Sequence, residues 1–336
     1  MALVCVTGGS GFVGSQVASD LLDAGHQVRA TTRDLASAKV QLGSLKIEWA
    51  TADLNAPDSF VSALKDCDYV IHTASPFVLT VEDPQRDLVD PAVNGTLAVL
   101  EAALANSVQR VVLTSSFAAV SDEPDGVFTE TEWNTKSSLT RNPYYYAKAA
   151  AEKAAWDFAA AHQGFELVVI NPTYVLGPSL VPSLNETSRT LVGLVSGMFP
   201  GVLNIDYPFV DVRDVARAHR LAMETPEAHG RYLCGAETWS QRRVVDWIKG
   251  ANLGFGKPPR LHMDNPVGTA LAKVAARFQA SGDRDYIHTH IGRHPRIDTT
   301  KIRTELGMSF RPLGETLIDS YRDLEKWGHL SKKVGT

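Results

Sequence analysis

Leu3-Val-Cys-Val-Thr-Gly-Gly-Ser-Gly-Phe-Val-Gly14 decides the architecture. Leu3 to Thr7 is a short apolar run with β-branched residues, closed by glycine. That is the pattern of a parallel strand buried on both faces. Gly8, Gly11 and Gly14 follow in a G-x-x-G-x-x-G spacing, and Val13, Val17, Leu21 and Leu22 recur at helical intervals up to Gly25, a C-terminal stop. A glycine pattern between a strand and a helix carries meaning that the pattern alone does not. Residues without Cβ let backbone N–H groups approach a pyrophosphate, and the helix N-terminus adds the positive end of its dipole. The stretch therefore points to a dinucleotide site.

The same alternation continues outward. Strands are expected at His26–Thr32, Ile47–Ala50, Tyr69–Thr73, Arg110–Thr114 and Leu167–Ile170, with helices at Asp58–Leu64, Asp90–Asn106 and Tyr145–His162. Strands and helices in alternation, joined by short connections, give an α/β fold: a doubly wound parallel sheet of Rossmann type with helices on both faces. Beyond Pro178 the pattern loosens. Helices are expected at Glu186–Met198 and Val212–Met223, a strand at Arg231–Cys234, and mostly helix with proline punctuation from Trp239 onward. The expected division is a dinucleotide-binding domain over 1–175, with 209–234 returning to it. A smaller, mostly helical substrate-binding region spans 176–208 and 235–336.

Composition narrows the function. The chain has 336 residues, 44% hydrophobic and 21% charged, with net charge -5. Charge-driven binding of nucleic acid favours a basic chain, so it is not expected here. No lysine/arginine block is available for an anionic membrane, and no apolar run reaches the length of about 18 residues that a span needs. No basic segment with a cleavage site precedes the first strand, so a cytoplasmic protein is expected. Cys5, Cys67 and Cys234 are far apart and odd in number, the usage of free buried thiols rather than a disulfide framework or a zinc site.

At the end of the second strand an NAD site usually carries an acidic residue for the ribose hydroxyls. This chain has Thr31-Thr32-Arg33, and Arg33 can fork onto a 2′-phosphate with Lys39 to help. Asp34 is the dissenting residue. The balance favours NADP(H). Asp53 and Leu54, after the third strand, are placed for the adenine edge, although Asp53 serves equally as a helix cap. Downstream, Asn142-Pro-Tyr-Tyr-Tyr-Ala-Lys148 opens a strong helix former. Tyr144 and Lys148 are four apart and share a helix face, with Tyr145 also nearby. A carbonyl reduced by hydride needs a proton, and a lysine ammonium favours the phenolate and lowers the tyrosine's pKa toward neutrality. Ser115 or Ser116, at the carboxyl end of the fifth strand, is placed to hold the substrate oxygen. Phe77, Phe117 and Tyr174 are the aromatic residues beside these strand ends and are expected to line an apolar substrate pocket.

With these pieces together, the chain resembles the extended short-chain dehydrogenase/reductases, in their dihydroflavonol reductase and yeast methylglyoxal/aldehyde reductase branch. The resemblance rests on Thr7–Gly14, Val70-Ile-His-Thr-Ala-Ser-Pro-Phe77, Pro91-Ala-Val-Asn-Gly-Thr96, Arg110–Ser116, Tyr144 with Lys148, and Ala151-Glu-Lys-Ala-Ala-Trp156. It extends through Asn171-Pro-Thr-Tyr-Val-Leu-Gly-Pro178 and Phe209-Val-Asp-Val-Arg-Asp-Val-Ala216. It implies Ser116 as the catalytic serine, Tyr144 as acid and Lys148 as its partner. It implies NADP(H) contacts at Thr7, Gly8, Gly11, Phe12, Val13, Gly14, Arg33, Asp53, Leu54, Thr73, Ala74, Ser75, Tyr144 and Lys148. Pro172 to Val175 lie beside the nicotinamide in this picture, with Ser188 near the cofactor. The expected activity is NADPH-dependent reduction of a small-molecule aldehyde or ketone by a monomer or homodimer. A nucleotide-sugar epimerase or dehydratase, and a cofactor-sensing module without chemistry, are the competing readings. His288, His290 and His294 are read as a polar surface segment rather than a metal site, and Trp239, Trp247 and Phe255 as packing residues.

Overall fold

The computed structural model describes residues 1–75, 81–278 and 281–331. The N-terminal half winds as β1 (Leu3–Thr7), α1 (Phe12–Asp23), β2 (Gln27–Thr32), α2 (Leu35–Leu42), β3 (Ile47–Thr51), α3 (Ser59–Ala63), β4 (Tyr69–His72), α4 (Asp90–Ala105) and β5 (Arg110–Thr114). Then come β6 (Gly126–Phe128), α5 (Pro143–Ala161), β7 (Glu166–Pro172), β8 (Tyr174–Leu176), α6 (Glu186–Ser196), β9 (Gly201–Leu203), β10 (Asp206–Asp211), α7 (Val212–Glu224) and β11 (Gly230–Cys234). The chain closes with β12 (Glu237–Ser240), α8 (Gln241–Ala251), β13 (Leu261–Met263), α9 (Pro266–Ala276), α10 (Ser281–His290), β14 (Pro295–Ile297), α11 (Thr300–Glu305) and α12 (Leu313–Lys326).

Seven strands form one parallel sheet in the order β11-β7-β5-β4-β1-β2-β3. Alternate side chains feed two cores. Val4, Val6, Ile71, Val112, Val168 and Ile170 pack with α1 and α7 on one face. Cys5, Val70, Val111, Leu113 and Val169 pack with α3, α4 and α5 on the other. Strand order reverses between β1 and β4, and a doubly wound sheet opens its ligand crevice at that reversal.

A second sheet, β12-β10-β8, starts the C-terminal region. Tyr207, Phe209, Trp239, Leu313, Leu317 and Tyr321 build its core, with Trp247 and Phe255 packed against them. Cys5, Cys67 and Cys234 are free and buried. One segment departs from the expectation about membrane length. Gln85–Ala105, a π-helical turn running into α4, is long and apolar enough to span by length and composition. More than half of it lies inside the fold, where Ala98, Val99, Leu100 and Ala103 pack on the sheet, so it is a core helix.

Candidate active site

The crevice is framed by hydroxyls that fix the strand ends. Thr7 Oγ1 lies 2.6 Å from His72 Nδ1, Ala74 N donates to Thr7 Oγ1 at 3.3 Å, and Thr73 Oγ1 donates to the Thr7 carbonyl at 2.6 Å. Burial pushes the His72 imidazole down to about 3, so this histidine stays neutral. Gly8 sits at φ +68°, and a Cβ there would come within 2.9 Å of Ala74 Cα. A Cβ on Gly14 would meet the Gly8 carbonyl at 2.3 Å. Only glycine permits this close passage of loop over helix. Gly11 caps α1 without a side chain, and no acidic residue stands in its first turn, which begins with Phe12 and Val13. The first N–H groups of α1 are thus left for an external anion, and the cradle fits a dinucleotide's diphosphate.

The end of β2 removes the dissent over Asp34. Its carboxylate accepts from Ser37 N at 2.9 Å and caps α2. Thr31 accepts from Gly8 N at 3.2 Å, and Thr32 meets Ser10 at 3.1 Å. Arg33 and Lys39 are exposed. Neither makes an ion pair or side-chain hydrogen bond with the described residues. Asp53 is not the cap of α3, a place taken by Asp58; its carboxylate instead accepts from Asn55 N at 3.0 Å and closes a turn. Leu54 packs on Gly95 of α4, where a Cβ would come within 2.7 Å of Leu54 Cδ2.

The helix carrying the tyrosines starts earlier than the sequence suggested, because Pro143 occupies its first position with φ already set. Tyr144 and Lys148 therefore lie within its opening turns. The Tyr144 phenol lies near enough to the Ser116 side chain for that hydroxyl to pull its pKa down against burial, and Ser116 Oγ also caps the turn Phe117–Ala119 by accepting from Ala118 N at 3.1 Å. Ser115 is turned away and donates to the buried Glu152 carboxylate. Lys148 Nζ lies 6.0 Å from the Tyr144 ring centroid and donates to Ser75 Oγ at 3.0 Å.

The electrostatics correct one expectation. Burial pushes the Tyr144 phenol up to about 12, against the pull of Ser116, so Lys148 does not bring it toward neutrality. Burial also pushes Lys148 down to about 8, against the nearby Glu152 charge. A protonated phenol beside a titratable ammonium suits proton donation. Glu152 was missed from the sequence, although it lies one turn after Lys148. It pairs with Arg231 at 2.6 Å and accepts from Asn171 Nδ2 at 2.8 Å, and Asn171 also donates to the Ser116 carbonyl at 3.2 Å. This buried network fixes the strand end that carries Ser116.

Other expected residues fall elsewhere. Phe117 packs edge-on against Phe128, with Val120 and Leu233, so its ring is committed to a small core rather than to a substrate. Phe77 lies outside the described residues. The Tyr174 hydroxyl donates to Tyr286 Oη, beside the His290 that Tyr145 meets. Pro172 ends β7 opposite Cys234, and Val175 pairs with Val210. Ser188 lines a small cavity with Ser320 and Asp323, and no contact among the described residues links it to Tyr144 or Lys148. His288 and His290 lie on the helix α10, not on a strand, and His290 is buried at 3% exposure rather than part of a surface segment. His294 instead meets Asp206 at 3.0 Å.

The glycine cradle, the parallel sheet and the Ser–Tyr–Lys group define a class that the comparisons name. Residues 4–235 match the NAD dependent epimerase/dehydratase family, and the chain belongs to it, among the extended short-chain dehydrogenase/reductases. It is 34% identical to cinnamoyl-CoA reductase 1 of Petunia hybrida over 98% of this chain and 93% of that one. It is 32% identical to tetraketide alpha-pyrone reductase 1 of Arabidopsis thaliana over 98% and 97%. The fold matches yeast methylglyoxal/isovaleraldehyde reductase Gre2, solved in complex with NADPH, with TM-score 0.80 and 29% identity over 97% and 99% of the two chains.

Proposed function

We propose that this protein is an NADPH-dependent reductase that converts small aldehydes and ketones to alcohols. The observation that carries the reading is the Tyr144 phenol against the Ser116 hydroxyl, with Lys148 four residues further along the same helix. The reductases among its relatives and the NADPH complex of Gre2 support it. The glycine loop holds the diphosphate, Arg33 meets the 2′-phosphate, and Lys148 holds the nicotinamide ribose. When bound, the reduced nicotinamide supplies a hydride to the carbonyl carbon. Ser116 donates a hydrogen bond to the carbonyl oxygen as negative charge builds there, and Tyr144 gives it a proton. The buried phenol is protonated at neutral pH, as a donor must be.

Tyr174 and Tyr286, half-buried and packed ring against ring, lie near the tyrosine pair, backed by the core rings of Tyr207 and Phe209. An apolar carbonyl compound suits these rings. NADPH oxidation is expected with ketones, α- or β-keto esters and aryl aldehydes, and not with a nucleotide sugar. Epimerisation of a nucleotide sugar without carbonyl reduction would overturn the reading.

The pH dependence follows from Lys148. Its ammonium is the useful form, and its depressed pKa means that the charge is lost as pH rises through about 8. Tyr144 near 12 and His72 near 3 do not titrate in that range. The kcat/KM for NADPH, which reports the free enzyme, is expected to be flat below pH 8. Above it the value should fall about tenfold per pH unit. A flat profile to pH 9.5 would show that the Lys148 charge is not needed.

A further inference from the structure

Helix α10 meets the start of α5 through three hydrogen bonds. Asn142 N donates to Asp285 Oδ2 at 3.4 Å, and Asn142 Nδ2 donates to Thr289 Oγ1 at 3.2 Å. Tyr145 Oη lies 3.0 Å from His290 Nε2, and on the same helix Tyr286 Oη accepts from the Tyr174 hydroxyl. The proton on His290 can be placed. Its Nδ1 lies 2.9 Å from Thr289 Oγ1 and 3.1 Å from the Tyr286 carbonyl; the Thr289 hydroxyl spends its one hydrogen on the Asp285 carbonyl at 2.8 Å, so both oxygens accept, Nδ1 carries the hydrogen and Nε2 the lone pair. Tyr145 is therefore the donor. The imidazole also stacks on the Tyr286 ring, with centroids 4.1 Å apart and planes 18° from parallel. Burial pushes His290 down to about 3, so it remains a neutral acceptor at ordinary pH.

Tyr145 has no second role. Its hydroxyl is used on His290, and its ring meets the Tyr144 ring edge-on at 6.0 Å. We infer that His290 is a positioning residue: by accepting the Tyr145 hydroxyl, it locks α10 onto the opening turn of α5 and sets the angle at which Tyr144 faces Ser116. The lock matters because Asn142, which starts that turn, has φ +47°, and no side chain caps the helix. The α10 contacts thus hold a helix start that its own sequence leaves unsupported. This inference rests on the reductase reading of Ser116, Tyr144 and Lys148.

The test uses the whole protein and four variants. His290→Leu removes the acceptor, Tyr145→Phe removes the donor, and the double variant removes both. His290→Gln keeps an acceptor near the Nε2 position. His290→Leu and Tyr145→Phe should each lower kcat by about tenfold, as small misplacements of reacting groups do. KM for NADPH should stay within about twofold, since the glycine cradle and Arg33 are untouched. The double variant should be no slower than either single one, because both remove the same bond. His290→Gln should recover most of the rate. A melting curve on each variant separates loss of fold from loss of position. Normal turnover in His290→Leu, additive losses in the double variant, or a glutamine as slow as leucine would overturn the role of His290 alone. A wild-type protein that reduces no carbonyl would overturn the reductase reading and the positioning role with it.

Discussion

Replacing Tyr144 with phenylalanine is expected to lower kcat for carbonyl reduction by about 10²–10⁴, the usual worth of a positioned general acid. The change removes one oxygen. The ring keeps its place against Tyr145 and within the cluster formed by Leu88, Val89 and Ala147. Lys148 keeps its bond to Ser75, and Ser116 keeps its cap on Ala118 N. NADPH affinity should therefore change little, and the loss should fall on turnover. Steady-state NADPH oxidation with a saturating carbonyl reads kcat, and a fluorescence titration reads cofactor affinity. The neighbouring tyrosines are internal controls. Tyr146→Phe should leave the rate unchanged, and Tyr145→Phe should cost only the about tenfold loss of a positioning contact. If Tyr144→Phe stays near normal while Tyr145→Phe abolishes turnover, the register is wrong by one residue. Retained activity in all three would end the tyrosine–lysine mechanism.

The parts of this site that the sequence made legible are those set by local chemistry. The run Leu3–Thr7 and its glycines reported a strand, a turn and a helix because those residues allow little else, and the seven-stranded sheet followed from the alternation. The four-residue spacing of Tyr144 and Lys148 required only helical geometry. What the sequence hid depends on contacts between distant segments. Ser115 and Ser116 are equivalent in local spacing; the family resemblance implies Ser116, and the physical ground for it, Ser115 turned onto Glu152, appears only in the fold. Phe117 is adjacent to Ser116 but turns into a core with Phe128 and Leu233. The His288–His294 segment reads as polar surface because its partners, Tyr145 and Asn142, lie far upstream. The raised phenol of Tyr144 had no local signal either. Its cause is burial, which the assembled fold supplies and the spacing to lysine does not.

The cofactor preference yields the second large effect. Arg33→Ala is expected to raise KM for NADPH by about ten- to a hundredfold, from the roughly 1.5–3 kcal/mol of a charge-assisted hydrogen bond. KM for NADH should stay within about twofold, because NADH carries no 2′-phosphate for the guanidinium to meet. The structure makes the contrast sharp. Thr31 and Thr32 are engaged with Gly8 and Ser10, and Asp34 is held by Ser37 N, so no carboxylate at the end of β2 is free to take a ribose hydroxyl. Asp34→Asn is the companion variant. Asparagine can still cap α2, so this change should alter neither cofactor's KM. A selective loss of NADH in Asp34→Asn would show that the aspartate leaves its cap to hold the ribose. Equal losses of both cofactors in Arg33→Ala would remove Arg33 from the phosphate site. Lys39→Ala, measured with the same two cofactors, would then be the decisive variant, since Lys39 is the exposed cation of α2, the helix that follows Arg33.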